Sequence, residues 1–201
     1  MASSDRIIAG LDLGTSNIKC VIGVQRAEGS VDIVGTGSHP AVGIKNGTVC
    51  SAEDVVRSIR AAVEEAEMMA GCDIAEVFVS ISGRHLDSFN SNGVVRVAAE
   101  QVTDEDVLRV IDVAKAHKLP ADHRVLHVVP QEFVLDHQTG VQRPVGMSGV
   151  RLEVQAHVLV GNGKCTDALE ACCQQAGLRV VDIVLAPLAQ AEALLTSSGR
   201  E

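Results

Sequence analysis

Residues Gly10–Lys19 read G-L-D-L-G-T-S-N-I-K and lie between two short apolar runs, Ile7–Gly10 and Ile18–Val24. That spacing predicts strand, tight turn, strand, with Gly14 where a Cβ would clash. The amides of Thr15, Ser16 and Asn17, with two small hydroxyls, can converge on phosphate oxygens as an anion nest. Asp12 stands at the strand end, placed to hold a magnesium ion through water. Lys19 can reach the phosphates as a point charge. Read alone, a D-x-G-T-S turn is more often a plain β-hairpin than a nucleotide site. It is neither G-x-x-x-x-G-K-[ST] nor a G-x-G-x-x-G that opens a helix. No later segment offers a second Asp-Gly-Gly-Gly type loop, an adenine pocket or a catalytic acid, so the chain reads as half of a nucleotide site.

Composition says what surrounds such a hairpin. Apolar residues make up 46% of the 201, yet there are three Phe and no Tyr or Trp. The core is therefore expected to be Val, Ile, Leu and Ala, which suits a buried sheet flanked by helices. A net charge of −9 argues against a nucleic-acid partner, because phosphate backbones call for a basic stripe. Met1–Arg6 is polar, and the apolar run after it is too short for a secretory h-region. No stretch approaches the roughly 18 apolar residues of a membrane span, so a soluble cytosolic protein is expected. The six cysteines, Cys20, Cys50, Cys72, Cys165, Cys172 and Cys173, form no C-x-x-C pair and no zinc spacing. They read as buried, reduced thiols. His127 and His157 lie in apolar strands and read as satisfied sheet residues.

Along the chain, strands are expected at Arg6–Leu13, Ile18–Arg26 and Val31–His39. Asn46-Gly47 signals a turn inside the loop Gly43–Cys50. Ser51-Ala52-Glu53-Asp54 opens a helix with a start resembling a capping box, and Gly71 closes it. Glu76–Ser82 is the next strand. The style then changes. Arg84–Asn92 is polar and rich in turn residues, and Gly93–Ala98 reads as a short strand. Thr103-Asp104-Glu105-Asp106 caps a second helix, and Arg124–His137 is extended, with Pro130 marking an edge, bulge or bend. A Gly/Pro-rich turn, Gly140–Gly149, leads into the alternating run Val150–Val160. After Gly161 the first style resumes. A helix is expected over Asn162–Gly177, a strand over Leu178–Leu185, and a last helix from Pro187 to about Ser197. The expected organisation is one α/β domain, 1–82 and 162–201, interrupted by a small α+β insert at 83–161.

Three stretches turn this layout into a resemblance: Ser82-Gly83-Arg84-His85, Arg124–Phe133 (R-V-L-H-V-V-P-Q-E-F) and Pro144–Glu153 (P-V-G-M-S-G-V-R-L-E). Their order and spacing resemble the FtsA family of bacterial cell-division proteins, a branch of the actin, sugar-kinase and chaperone superfamily. The resemblance covers nearly the whole chain. It implies an incomplete actin-like (ribonuclease H-like) lobe, subdomain 1A, interrupted by subdomain 1C. It implies that Asp12, Gly14, Thr15, Ser16, Asn17 and Lys19 meet ATP and its Mg2+, with Asp12 serving the metal. It also implies self-association, recruitment of later division proteins through residues 83–161, and tethering of FtsZ to the cytoplasmic face of the inner membrane at the division site. By the same resemblance, Glu201 stands where a second lobe begins. The second phosphate loop, the adenosine segment, the FtsZ-gripping lobe and the C-terminal membrane helix are then missing, and ATP binding is expected to be weak or absent.

Two other readings follow from the residues. One is a kinase, ATPase or chaperone of the same superfamily, which the turn alone permits. The other is a naturally short relative. In it Leu188, Ala191, Leu194 and Leu195 either pack on the first sheet or face a partner or membrane.

Overall fold

The hairpin forms where the sequence places it and becomes the centre of a sheet. In the computed structural model, which describes residues 6–116, 119 and 121–195, β1 (Arg6–Leu13) and β2 (Asn17–Gln25) pair antiparallel, and β3 (Val31–Pro40) adds to β2. β6 (Glu76–Ile81) and β11 (Arg179–Leu185) extend the other side in parallel, giving the order β11-β6-β1-β2-β3. A two-residue-per-strand hairpin, β4 (Ile44–Lys45) and β5 (Thr48–Val49), turns at Asn46-Gly47, both with positive φ. Parallel pairing requires crossovers, and these are α1 (Ala52–Ala70) and α3 (Gly163–Gln175), with α4 (Ala186–Leu194) following β11.

One face of this sheet holds Ala9, Leu11, Leu13, Ile18, Cys20, Ile22, Val77, Val79 and Ile81, all buried, together with Val55, Ile59, Ala62 and Ala66 of α1 and Leu169, Cys172 and Cys173 of α3. α1 lies almost on the backbone of β3. A Cβ on Gly37 would overlap the Ala62 carbonyl oxygen, and one on Gly35 the Ala66 carbonyl. Gly71 ends α1 in the left-handed conformation, its N–H bonded to the Glu67 carbonyl at 2.8 Å. Ser51 stands at the N-cap, but its side chain caps nothing; the first turn closes through backbone alone, Val55 N to Ser51 O at 3.1 Å.

A second unit, Leu86–Gly163, is separate from the first, which comprises the residues up to His85 and from Lys164. Its sheet runs β7 (Leu86–Arg96), β10 (Arg151–Asn162), β8 (His123–Leu135), β9 (Gln138–Val141), with α2 (Asp104–Lys115) against it. The polar stretch before Asn92 is not loop: β7 is one strand of 11 residues, paired with β10 along its full length. Pro130 sits where β8 slips against β10, with Gln155 opposite Glu132 and Ala156 opposite Pro130. β9 pairs only near Phe133 and Leu135, so Pro130 also lies beyond the reach of that neighbour. A bulge beside an unpaired edge tolerates a residue with no N–H.

The stretch Pro144–Glu153 is explained by this unit's core. Gly146 N donates to Val102 O and Val102 N to Met147 O, both at 2.9 Å, which ties the turn to the segment entering α2. Gly149 lies flat on Leu135; a Cβ there would come 2.6 Å from that side chain. Asp136, at φ +54 between β8 and β9, accepts from Val150 N at 3.1 Å and Arg151 N at 2.9 Å. Those two N–H bonds, the Arg151 one first, hold its carboxyl below the usual range.

Other expectations resolve residue by residue. Cys20, Cys172 and Cys173 are buried, whereas Cys50 is exposed and Cys72 and Cys165 are half-buried; all six are thiols rather than disulfides. Burial pushes the thiols of Cys20 and Cys173 up to about 11 and about 12, so neither is a nucleophile at neutral pH. His157 is satisfied by Asn90 Oδ1 at 2.7 Å, but His127 Nε2 is buried without a partner. α4 carries Pro187 in its first turn and ends at Leu194; the rest of the expected helix, to Ser197, lies outside the described residues. Of its apolar stripe, Leu188 and Ala191 are half-buried, whereas Leu194 and Leu195 are 79% and 43% exposed. Among the described residues no helix is long and apolar enough to cross a membrane.

β3 ends the first sheet with Val31 and Ile33 exposed, and unpaired edges with apolar side chains invite pairing with another chain. The isolated chain is expected to be oligomeric at roughly tens of micromolar. A monodisperse monomer in light scattering at that concentration contradicts the expectation.

Candidate functional site

The turn between β1 and β2 is built from its two flanks. Leu13 and Ile18, buried and directly paired, pin the strand ends from below. Between them Gly14 approaches the chain so closely that a Cβ would stand 2.6 Å from the Asn17 carbonyl oxygen. Ala41 N donates to Ser16 O at 2.9 Å and ties the tip to the residue after β3. Thr15, Ser16 and Asn17 are exposed at the end of the sheet.

Asp12 and Lys19 stand on the opposite sheet face from Leu11, Leu13 and Ile18. They are Cα partners in the β1–β2 ladder, hence neighbours on one surface. Asp12 is half-buried and Lys19 exposed. Asp12 Oδ1 accepts from Ser80 Oγ at 2.5 Å. Ser80 comes from β6, 68 residues away in sequence, and sequence reading did not find it. Beside this row lies an open cavity of about 300 Å3, walled by Gly10, Val21, Phe78, Val184 and Ala189, with Asp12, Lys19 and Ser80 at its polar end. The six residues singled out from the sequence therefore fall in one place: a backbone turn at the tip, and a carboxylate and an ammonium on one face just below it.

The donor set suits an anion at the tip and a hard cation beside it. Successive N–H groups and two hydroxyls fit phosphate oxygens, and a carboxylate oxygen fits Mg2+ bound mostly by water and phosphate. Among the described residues no group of three or more His, Cys, Asp or Glu could hold a metal. A metal here would therefore depend on the phosphates that accompany it. The polar groups beside Asp12 are the Ser80 hydroxyl, bonded to its Oδ1, and the Lys19 ammonium across the ladder; the cavity's other walls are apolar or glycine.

In the second unit the electrostatic centre is Asp106, whose side chain is 1% exposed. It accepts from Thr103 N at 3.0 Å, Thr103 Oγ1 at 2.8 Å and Ala98 N at 3.3 Å, and pairs with Arg109. The Thr103 backbone N–H leads in holding its carboxyl down to about 2, aided by the Thr103 hydroxyl and Arg109. This is a capping box that also clamps the strand before it, so its role is to hold the unit together.

Comparison with known proteins follows the same two-part layout. A family profile described as the SHS2 domain inserted in FtsA matches residues 83–160. The chain is 44% identical over 98% of its length to the cell division protein FtsA of Pseudomonas aeruginosa, covering 48% of that protein. It is 36% identical over its full length to the cell division protein FtsA of Escherichia coli, again covering 48%. In structure it is similar to a chain of the PilM–PilN type IV pilus biogenesis complex, with a TM-score of 0.63 at 15% identity over 93% of this chain and 49% of that one. That likeness concerns the fold, an incomplete actin-like lobe. The chain spans about half the length of the curated relatives it matches. Aligned from end to end at these identities, with the SHS2 profile matched at residues 83–160, the chain belongs to the FtsA family of bacterial cell-division proteins.

Proposed function

We propose that this chain acts in cell division as an FtsA-type scaffold, with its first unit addressed to nucleotide and its second to proteins. The observation that carries the reading is the 44% identity to an FtsA across 98% of the chain, joined to the SHS2 insert at 83–160. In this reading Gly14–Asn17 and Lys19 receive the phosphates of ATP, and Asp12 holds the accompanying Mg2+ through water. The second unit contacts later division proteins and further copies of the chain. In the same reading, tethering of FtsZ filaments to the cytoplasmic face of the inner membrane is the task of the FtsA-type scaffold, to which these two units contribute the nucleotide turn and the interaction unit. The test of the second unit's role is fluorescence anisotropy of the full chain with the cytosolic tails of division proteins. Binding that disappears with Asp106→Ala supports it; no binding to any tail contradicts it.

A kinase or ATPase reading rests on the same turn. Phosphoryl transfer needs, besides positioned phosphates and metal, a group that orients the attacking water or substrate, and the described residues around Asp12 supply none. We expect no ATP turnover from this chain. Magnesium-dependent phosphate release that is abolished by Asp12→Ala contradicts that and favours the enzyme.

A further inference from the structure

Asp12 has a polar neighbour on each side, contributed by different strands. In the parallel β1–β6 ladder it is partnered by Ser80, and in the antiparallel β1–β2 ladder by Lys19. Ser80, Asp12 and Lys19 therefore stand in a row across three strands. Side chains directly opposite one another on adjacent strands are about 5 Å apart at Cβ, so the carboxylate can serve either neighbour. It serves Ser80: the hydroxyl donates to Oδ1 at 2.5 Å, while Lys19 has no ion pair among the described residues. Oδ2 faces the turn, since a Cβ on Gly14 would lie 3.5 Å from it.

We propose that Ser80 is a positioning residue for the phosphate turn, holding Asp12 away from Lys19 so that carboxylate and ammonium both stay available to a magnesium–phosphate ligand. The inference rests on the nucleotide reading of the turn given above. A hydroxyl bonded to a carboxylate is roughly twice as strong an interaction as its neutral counterpart, which lets one serine compete with a nearby cation. Beyond Ser80 the row continues to Val184, and the remaining cavity walls, Gly10, Val21, Phe78 and Ala189, carry no side-chain donor. Without the hydroxyl, Oδ1 adjoins apolar walls and its nearest compensation is the Lys19 ammonium. The pair would then neutralise each other across the site.

The experiment is an NMR titration of the full chain with ATP, in Mg2+ and in EDTA, following the amides of Gly14–Asn17. The wild type is expected to show weak but saturable shifts, in line with a turn that binds without a second lobe, and these tighten with Mg2+. Ser80→Ala is expected to raise the Kd in Mg2+ about tenfold, the equivalent of about 1.4 kcal/mol, and to erase the difference between Mg2+ and EDTA. Ser80→Thr, which keeps the hydroxyl, restores both. Should Ser80→Ala fail to give a folded spectrum, Ser80→Cys keeps the volume and offers only a weak donor, and the same loss is expected. Equal Kd values for wild type and the hydroxyl-less variant in Mg2+ overturn the positioning role and leave the phosphate turn standing. The absence of shifts at Gly14–Asn17 in the wild type overturns both.

Discussion

Replacing Asp106 with alanine unfolds the second unit well before the first. Its carboxylate is the acceptor for two backbone N–H groups and a hydroxyl, and pairs with Arg109, at a site 1% exposed to solvent. The bond from Asp106 N to Thr103 Oγ1 survives the change, but the Thr103 and Ala98 N–H groups lose their acceptor, and each buried donor so left costs about 1–3 kcal/mol. A total near 3 kcal/mol is expected, enough to lower the melting temperature of a unit this small by on the order of 15 °C. The Asp106→Asn variant keeps the side chain's shape but turns an NH2 toward donors, so it is expected to recover less than half of the loss. The pH dependence follows from the same contacts. The folded carboxyl stays ionised down to about pH 2, whereas the unfolded one protonates near 3.8. Its contribution, about 2 kcal/mol from the difference between those values, is complete above pH 4. It is lost as the pH falls from about 4 to about 2. Thermal melts of the wild type across that window should show the second unit losing stability, and the Asp106→Ala variant should be markedly less sensitive to pH.

Gly37→Ala destabilises the first unit by about 3 kcal/mol, the upper range for forcing extra atoms into a packed core. The added methyl would overlap the Ala62 carbonyl oxygen and stand 2.8 Å from the Ala66 amide nitrogen. Backbone cannot swing aside as a flexible side chain can. α1 must lift off β3, loosening Ile59, Ala62 and Ala66, each fully buried. In an open extended strand the same change stabilises by about 0.4–1 kcal/mol, because alanine restricts the unfolded chain more than glycine does. The sign alone is therefore diagnostic: chemical denaturation in which Gly37→Ala is more stable than wild type contradicts the packing described here.

The β1–β2 hairpin was legible because everything that shapes it is local: apolar runs on both sides and a glycine between them. β7 was not, and its polar sequence has a physical cause. Asp87, Ser88, Asn90 and Asn92 are exposed or half-buried, while the inward positions Ser91 and Gly93 are small. They are small because α2 sits against them; a Cβ on Gly93 would overlap the Val110 carbonyl oxygen. A strand facing water on one side and a helix backbone on the other has no reason to be rich in Val or Ile. Ser80 was invisible for a different reason. Its partnership with Asp12 depends on parallel pairing of β1 and β6, and register between strands 68 residues apart is not written in either strand. The run Pro144–Glu153 identified the family from sequence, but its purpose emerged only in three dimensions, as the clasp joining Val102, Leu135 and Asp136.

In the function proposed above, this chain works in cell division through its second unit. The most direct measurement is the cellular position of a fluorescent fusion of the chain in Pseudomonas aeruginosa, whose FtsA is 44% identical to it. A band at the division site that becomes diffuse with Asp106→Ala is the predicted result. A fusion that is intact and expressed yet spread evenly through dividing cells, or one whose band is unchanged by Asp106→Ala, contradicts a division role for the second unit.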